Sequence, residues 1–294
     1  MAVVRHAVGG SGKPAAKGAA GAGEGSVPRT AGKPTIVLPS ELSVPLEHFS
    51  DYITLIYGEK KVGKTSLAAR FPNTLFLMCE PGGKALRIYQ QPITSWQDFV
   101  ASVDALKADK RFNTVVVDTV DVAYAMCFDF MCKKMAIVHP GDESDYGKSW
   151  GMISKEFQRQ FNRLFQTGKG VILTSHATWQ EIKSRRTESY FRLVPTMPGQ
   201  ANAYLTAVVD IWGCYTYAGK DRYLILRGDE QISAGCRLEE QFRTVKGEPV
   251  VAIPMGTSAD AAYKNVMTAF NNKQKDTGAA ALEETVPVVR AARK

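Results

Sequence analysis

Short runs made almost wholly of apolar residues alternate along this chain with longer stretches whose apolar positions recur every three or four residues. The runs lie at residues 52–57, 74–79, 114–117 and 170–175. They are continuous rather than alternating, which predicts strands buried on both faces, as in a parallel sheet covered by helices. Residues 64–71, 96–107, 120–137 and 149–165 carry helical periodicity between them. The β-α-β-α order predicts a doubly wound α/β fold. Further on, residues 207–217 and 222–226 read as two strands joined by Ala218-Gly219-Lys220-Asp221, a hairpin that extends the sheet.

Composition sets the limits of this domain. The 294 residues are 45% hydrophobic and 22% charged, the balance of a soluble globular protein. Residues 1–34 are Gly, Ala, Ser, Lys and Pro with almost no large apolar side chain, and are expected to form a flexible basic tail. Residues 272–294 look similar, although 282–293 carry a few apolar residues able to dock. A single core over 35–271 is the simplest account. No run approaches the roughly 20 apolar residues that span a bilayer, and the first residues lack a secretory leader. The expected location is the cytoplasm, with no membrane partner.

Five cysteines, Cys79, Cys127, Cys132, Cys214 and Cys236, form no CxxC unit and read as buried thiols. The net charge of +8 favours a polyanionic partner or simply a soluble tail, and charge alone does not choose.

The strongest chemistry follows the first strand. Gly58-Glu59-Lys60-Lys61-Val62-Gly63-Lys64-Thr65, continued by Ser66, satisfies G-x-x-x-x-G-K-[ST], the Walker A pattern, between a strand and a helix. The glycines let successive amides curl into an anion nest. Lys64 supplies a compact charge to the β- and γ-phosphates, Thr65 a hydroxyl to Mg²⁺, and the helix start adds its dipole. ATP with Mg²⁺ is the expected ligand.

A magnesium site of this kind needs a carboxylate at a neighbouring strand end. Asp118 ends the third run and either holds the metal or caps the next helix. Asp121, one turn on, reads as solvated. Glu80 ends the second run before Pro81-Gly82-Gly83, as a base for the attacking water or as a turn residue. His176 ends the run at 170–175, facing the γ-phosphate or packed under the sheet.

This order of strand-end residues resembles the ATPase core of RecA-like recombinases, and most closely a compact phage group of ATP-binding single-strand annealing proteins. Five segments carry the resemblance: 56–66, 76–86, 115–120, the run Asp145-Tyr146-Gly147-Lys148-Ser149-Trp150-Gly151, and 195–210 with Pro198-Gly199. Together they span about 51–237 and leave both tails unmatched. The resemblance implies that Glu80 positions the hydrolytic water and that His176 links the γ-phosphate to DNA-binding loops. Bacterial recombinases usually carry Gln at that last position, so His176 is a departure.

The resemblance also implies two loops for single-stranded DNA. One falls within 139–148, with Lys148 as its candidate. The other falls within 177–200 and contains Trp179, Lys183, Arg185, Arg186, Tyr190, Phe191 and Arg192. Basic groups among aromatics suit sequence-tolerant strand binding, and an exposed hairpin with a solvated face is the plain alternative. Related proteins place basic residues across a neighbour's nucleotide, so a homo-oligomer is implied, with Arg227 and Arg237 as candidates. Cys236 stands where relatives often have Lys. The implied role is ATP-dependent annealing of single-stranded DNA in phage recombination, with DNA-stimulated hydrolysis and a single-strand DNA-binding protein as accessory partner. A P-loop nucleotide kinase, with Ser184-Arg185-Arg186 as a lid, and a non-hydrolysing loader switched by ATP are the alternatives.

Overall fold

The computed structural model describes residues 38–142, 144–183 and 189–285. The chain divides into two units, 1–44 and 45–294, so the core begins later than the expected residue 35. Of the first unit, residues 38–44 contain no helix or strand and expose Leu38, Leu42 and Val44.

The larger unit runs β1 (Ile53–Gly58), α1 (Lys64–Ala68), β2 (Thr74–Met78), β3 (Tyr89–Pro92), α2 (Trp96–Ala108), β4 (Thr114–Asp118), α3 (Val120–Met135), α4 (Lys148–Phe165) and β5 (Gly170–Ile182). It continues with β6 (Tyr190–Pro195), α5 (Gly199–Val208), β7 (Ile211–Ala218), β8 (Asp221–Ile225), β9 (Gly235–Cys236), β10 (Ala252–Pro254), α6 (Ala259–Phe270) and α7 (Ala280–Thr285). In space the strands lie in the order β10-β8-β7-β1-β5-β4-β2-β3. The strands from β7 to β3 in that order are parallel, while β8 and β10 add antiparallel at the other edge. This is the mainly parallel, doubly wound P-loop sheet with a late hairpin that the apolar pattern predicts.

The two-residue period of a strand divides the core into layers. Val115 and Val117 face one layer with Leu55, Leu77 and Leu173, whereas Val116 faces the other with Ile56, Phe76 and Ile172. Helices α2, α3, α4 and α5 cover the first face. There Trp96 stacks on Phe99 at 4.9 Å, Phe99 on Phe161 at 5.2 Å, and Phe161 meets Phe157 at 4.4 Å. Each such buried ring contributes about 1.5–3 kcal/mol, so this cluster anchors the helical layer. Helices α1 and α6 cover the second face around Phe49, Phe71, Phe242 and Phe270. Ser95 and Ser258 cap α2 and α6 by accepting the amides of Asp98 and Ala261.

Several boundaries differ from the sequence reading. Residues 207 and 208 close helix α5 instead of opening a strand, because the alanine-rich run from Gly199 favours a helix and β7 starts only at Ile211. Helix α1 stops at Ala68, short of residue 71, and β5 runs on to Ile182. The chain after 271 is not a free tail up to α7. The Gln274 amide donates to the Ala252 carbonyl at 2.9 Å, and the amides of Val251 and Ala252 donate to the Thr277 carbonyl at 2.8 and 3.0 Å. A polar segment can thus be held by backbone pairing that composition does not register. All five cysteines are thiols, four of them buried. Among the described residues no helix is long and apolar enough to cross a membrane.

Candidate nucleotide site

The phosphate loop is shaped by what lies beneath it. Gly58 ends β1 so close to β7 that a Cβ would stand 1.9 Å from the Tyr215 carbonyl oxygen. Gly63 has φ of +120°, and Lys61 has φ of +64°. Arg222 of β8 braces the loop from the side: its Nη1 donates to the Val62 carbonyl at 3.2 Å, and its Nε and Nη2 to the Gly256 carbonyl at 3.1 and 2.7 Å. Gly58→Ala is therefore expected to cost about 1–3 kcal/mol of stability and to weaken ATP binding with it. Thermal unfolding checks this, and an unchanged midpoint would contradict the close approach.

The loop presents its donors to an anion. No acceptor among the described residues takes the amides of Gly63, Lys64 or Thr65, the first donors of α1. Lys64 is only 6% exposed, and its Nζ donates to the carbonyls of Gly58 and Glu59 at 2.9 and 2.8 Å. Burial lowers its pKa, an effect opposed by the carboxylates of Asp118, Asp121 and Glu80. Glu59, Lys60 and Lys61 are exposed at the rim, Val62 is buried in the core beneath, and Ser66 is half-buried in α1.

Asp118 ends β4 with both oxygens occupied. Oδ2 accepts from the Thr65 hydroxyl at 2.7 Å and Oδ1 from the Thr174 hydroxyl at 2.6 Å. Its carboxylate goes to these two threonines and not to the amides that open α3, so it faces the loop. The Asp118–Thr119 peptide is cis. Opposite stands Glu80, whose Oε1 accepts from the Thr119 hydroxyl at 2.5 Å and lies 3.3 Å from His176 Nε2. His176 thus borders the cleft itself, with its Nδ1 buried and without a partner.

These groups enclose one cleft of about 420 Å³, lined by Lys64, Thr65, Asp118, Glu80, His176 and the Pro81-Gly82-Gly83 turn. The residues fit a triphosphate with a divalent cation. Free amides and an ammonium would meet the phosphates, and the hydroxyl–carboxylate pair of Thr65 and Asp118 is a hard oxygen donor set of the kind Mg²⁺ takes. One buried ammonium facing three carboxylates leaves little positive charge for a triphosphate, and a divalent cation supplies it.

The remaining candidates lie apart from the cleft. Lys148 is exposed at the start of α4, and Lys183 is exposed just past β5. Arg185 and Arg186 lie outside the described residues. Trp179 and Phe191 share one face of the β5–β6 hairpin, since Trp179 pairs with Leu193 and Glu181 with Phe191. Arg192 pairs with Gln180 and falls on the opposite face, where its Nη2 donates to the Asp229 carbonyl at 3.1 Å. The expected interleaving of Arg192 with these aromatics is therefore corrected by the two-residue period of the strand. Arg227 is half-buried and Arg237 exposed, the latter donating to the Ala207 carbonyl; neither lines its own chain's cleft.

Sequence reasoning missed Thr119, Thr174, Arg222 and the bonding of Asp121. The only available signal was the polar pair Thr174-Ser175 closing an otherwise apolar strand. Asp121, read as solvated, accepts from Ser175, His176 and Thr196.

Residues 50–238 match the AAA domain family, a stretch that contains the whole cleft. The chain is also similar to the SPbeta prophage-derived uncharacterized protein YorG of Bacillus subtilis (strain 168), with 29% identity over 143 residues, 47% of this chain and 44% of that protein. It spans less than half the length of that relative. The chain belongs to the AAA domain family, whose P-loop domains bind ATP.

Proposed function

We propose that this chain is a RecA-like, ATP-dependent protein that binds and anneals single-stranded DNA in phage recombination and hydrolyses ATP with Mg²⁺. The observation that carries the reading is the course of β5. Within one unbroken strand, Thr174 bonds Asp118, His176 meets Glu80, and Trp179 stands 39% exposed three residues further on. On this reading a change at the cleft reaches the hairpin along this one strand.

Bound Mg-ATP would supply the phosphoanhydride to be cleaved and the charge to stabilise its products. Lys64 and the loop amides hold phosphate oxygens, and Thr65 with Asp118 holds the cation. Glu80 takes a proton from water at its carboxylate, while Thr119 and His176 fix that carboxylate in place. On the hairpin, Trp179 and Phe191, the latter 41% exposed, offer two rings on one face for base stacking. Lys183, Lys148, Arg185 and Arg186 are the proposed sources of positive charge for the DNA backbone, whereas Arg192 braces the hairpin. Arg227 and Arg237, away from their own cleft, suit delivery to a neighbour's nucleotide in a homo-oligomer. A single-strand DNA-binding protein is the accessory partner, and the host cytoplasm the setting. The prophage origin of the similar protein supports the phage context.

The test is phosphate release with and without single-stranded DNA, for wild type and for the double variant Trp179→Ala, Phe191→Ala. DNA is expected to stimulate the wild type. Each lost stacking contact costs about 1–3 kcal/mol, so the double variant should bind DNA at least about tenfold more weakly. Transfer of phosphate to a small acceptor would mark a kinase instead, and ATP-dependent partner binding without turnover a loader.

A further inference from the structure

Strand β5 and its hairpin partner β6 are tied to the helix that follows Asp118 by one side chain. Asp121 sits in the first turn of α3, half-buried. Its Oδ1 accepts from the Ser175 hydroxyl at 2.9 Å and from the Thr196 hydroxyl at 2.5 Å, and its Oδ2 from the His176 amide at 3.2 Å. Thr196 follows the last residue of β6, and its amide donates to the His176 carbonyl at 3.0 Å. One carboxylate thus clamps three points: the residue before His176, His176 itself and the exit of the hairpin. Asp118, three residues earlier, holds Thr174 on the same strand. The junction of β4 and α3 therefore grips β5 twice, once through Asp118 at the end of β4 and once through Asp121 at the hairpin base.

We infer that Asp121 is a positioning residue that couples the nucleotide cleft to the β5–β6 hairpin, which rests on the cleft hydrolysing ATP and the hairpin binding DNA. It touches no reacting atom. Its carboxylate makes the hairpin base move with the start of α3, so a shift of Asp118 on nucleotide turnover carries the hairpin along. A carboxylate suits this role because all three partners are donors and its two oxygens accept them together. Asparagine keeps one acceptor oxygen and loses the bond from the His176 amide.

The experiment compares wild type, Asp121→Ala, Asp121→Asn and Thr196→Val. It reads affinity for a fluorescent ATP analogue, thermal midpoint, and phosphate release with and without single-stranded DNA. Thr196 is exposed and lies outside the cleft, so Thr196→Val is expected to keep ATP affinity and DNA-free turnover while losing part of the DNA stimulation. Asp121→Ala should reduce that stimulation at least about fivefold, the low end of coupling between sites, with ATP affinity retained and Asp121→Asn in between. DNA stimulation equal to wild type in both Asp121→Ala and Thr196→Val overturns the inference and leaves the ATPase reading standing. A uniform fall of midpoint, affinity and turnover in Asp121→Ala beside a wild-type Thr196→Val also overturns it, since that is a structural role alone. A wild type that DNA does not stimulate overturns the underlying reading and this inference with it. Should Asp121→Ala fail to fold, Thr196→Val decides.

Discussion

Lys64→Ala protein is expected to lose ATP affinity by at least about a hundredfold while remaining folded. The ammonium would make charge-assisted contacts with phosphate oxygens of bound ATP, each worth about 1.5–3 kcal/mol. Two such contacts amount to roughly 3–6 kcal/mol, a hundred- to ten-thousandfold in the dissociation constant. The carboxylates of Asp118 and Glu80, which line the cleft and now oppose the effect of burial on Lys64, would face the triphosphate with no buried cation between them. The fold should survive because the change acts in two opposed ways. It removes one bond to the buried Gly58 carbonyl, which keeps its place in the β1–β5 ladder, at about 1 kcal/mol, but it also removes an ammonium whose burial was itself unfavourable. Titration with a fluorescent ATP analogue, beside a thermal melt, checks both halves. Affinity within tenfold of wild type in a folded variant would show that Lys64 does not carry the phosphate.

What the sequence made legible follows from how local each signal is. The strands around the cleft announced themselves because burial on both faces leaves continuous apolar runs, and the Walker A pattern names its own residues. Asp118, Glu80 and His176 could be picked as polar residues closing apolar strands, and all three line the cleft. The bonding of Asp121 was out of reach because its partners Ser175 and Thr196 lie 54 and 75 residues away. Residues 207 and 208 read as strand because alanine and valine beside the run at 211–217 fit either state, and the helix propensity of the run from Gly199 carries them into α5. The placing of Arg192 on the face away from Trp179 and Phe191 was illegible for a related reason. The face of a hairpin residue depends on register, and a slip of one residue would have put it beside Trp179.

Glu80→Gln is expected to lower the rate of ATP hydrolysis by about a hundredfold or more while ATP affinity stays within a few-fold of wild type. A positioned general base contributes about 10²–10⁴ to a rate, and glutamine has no basic oxygen with which to take the proton. Its shape is otherwise preserved. The amide oxygen can still accept from the Thr119 hydroxyl, which now stands 2.5 Å from the carboxylate, so the cleft wall keeps its form. Neither Lys64 nor the Thr65–Asp118 pair depends on Glu80 through a hydrogen bond, which is why binding and turnover should separate. The variant should also lengthen the ATP-bound state, and with it the residence on single-stranded DNA, because β5 passes directly from the cleft to the hairpin. Single-turnover phosphate release and DNA dissociation kinetics, run on the same preparation, read the two effects. Turnover within threefold of wild type would remove Glu80 from the base role. Slow turnover without longer DNA residence would instead break the link between the cleft and the hairpin.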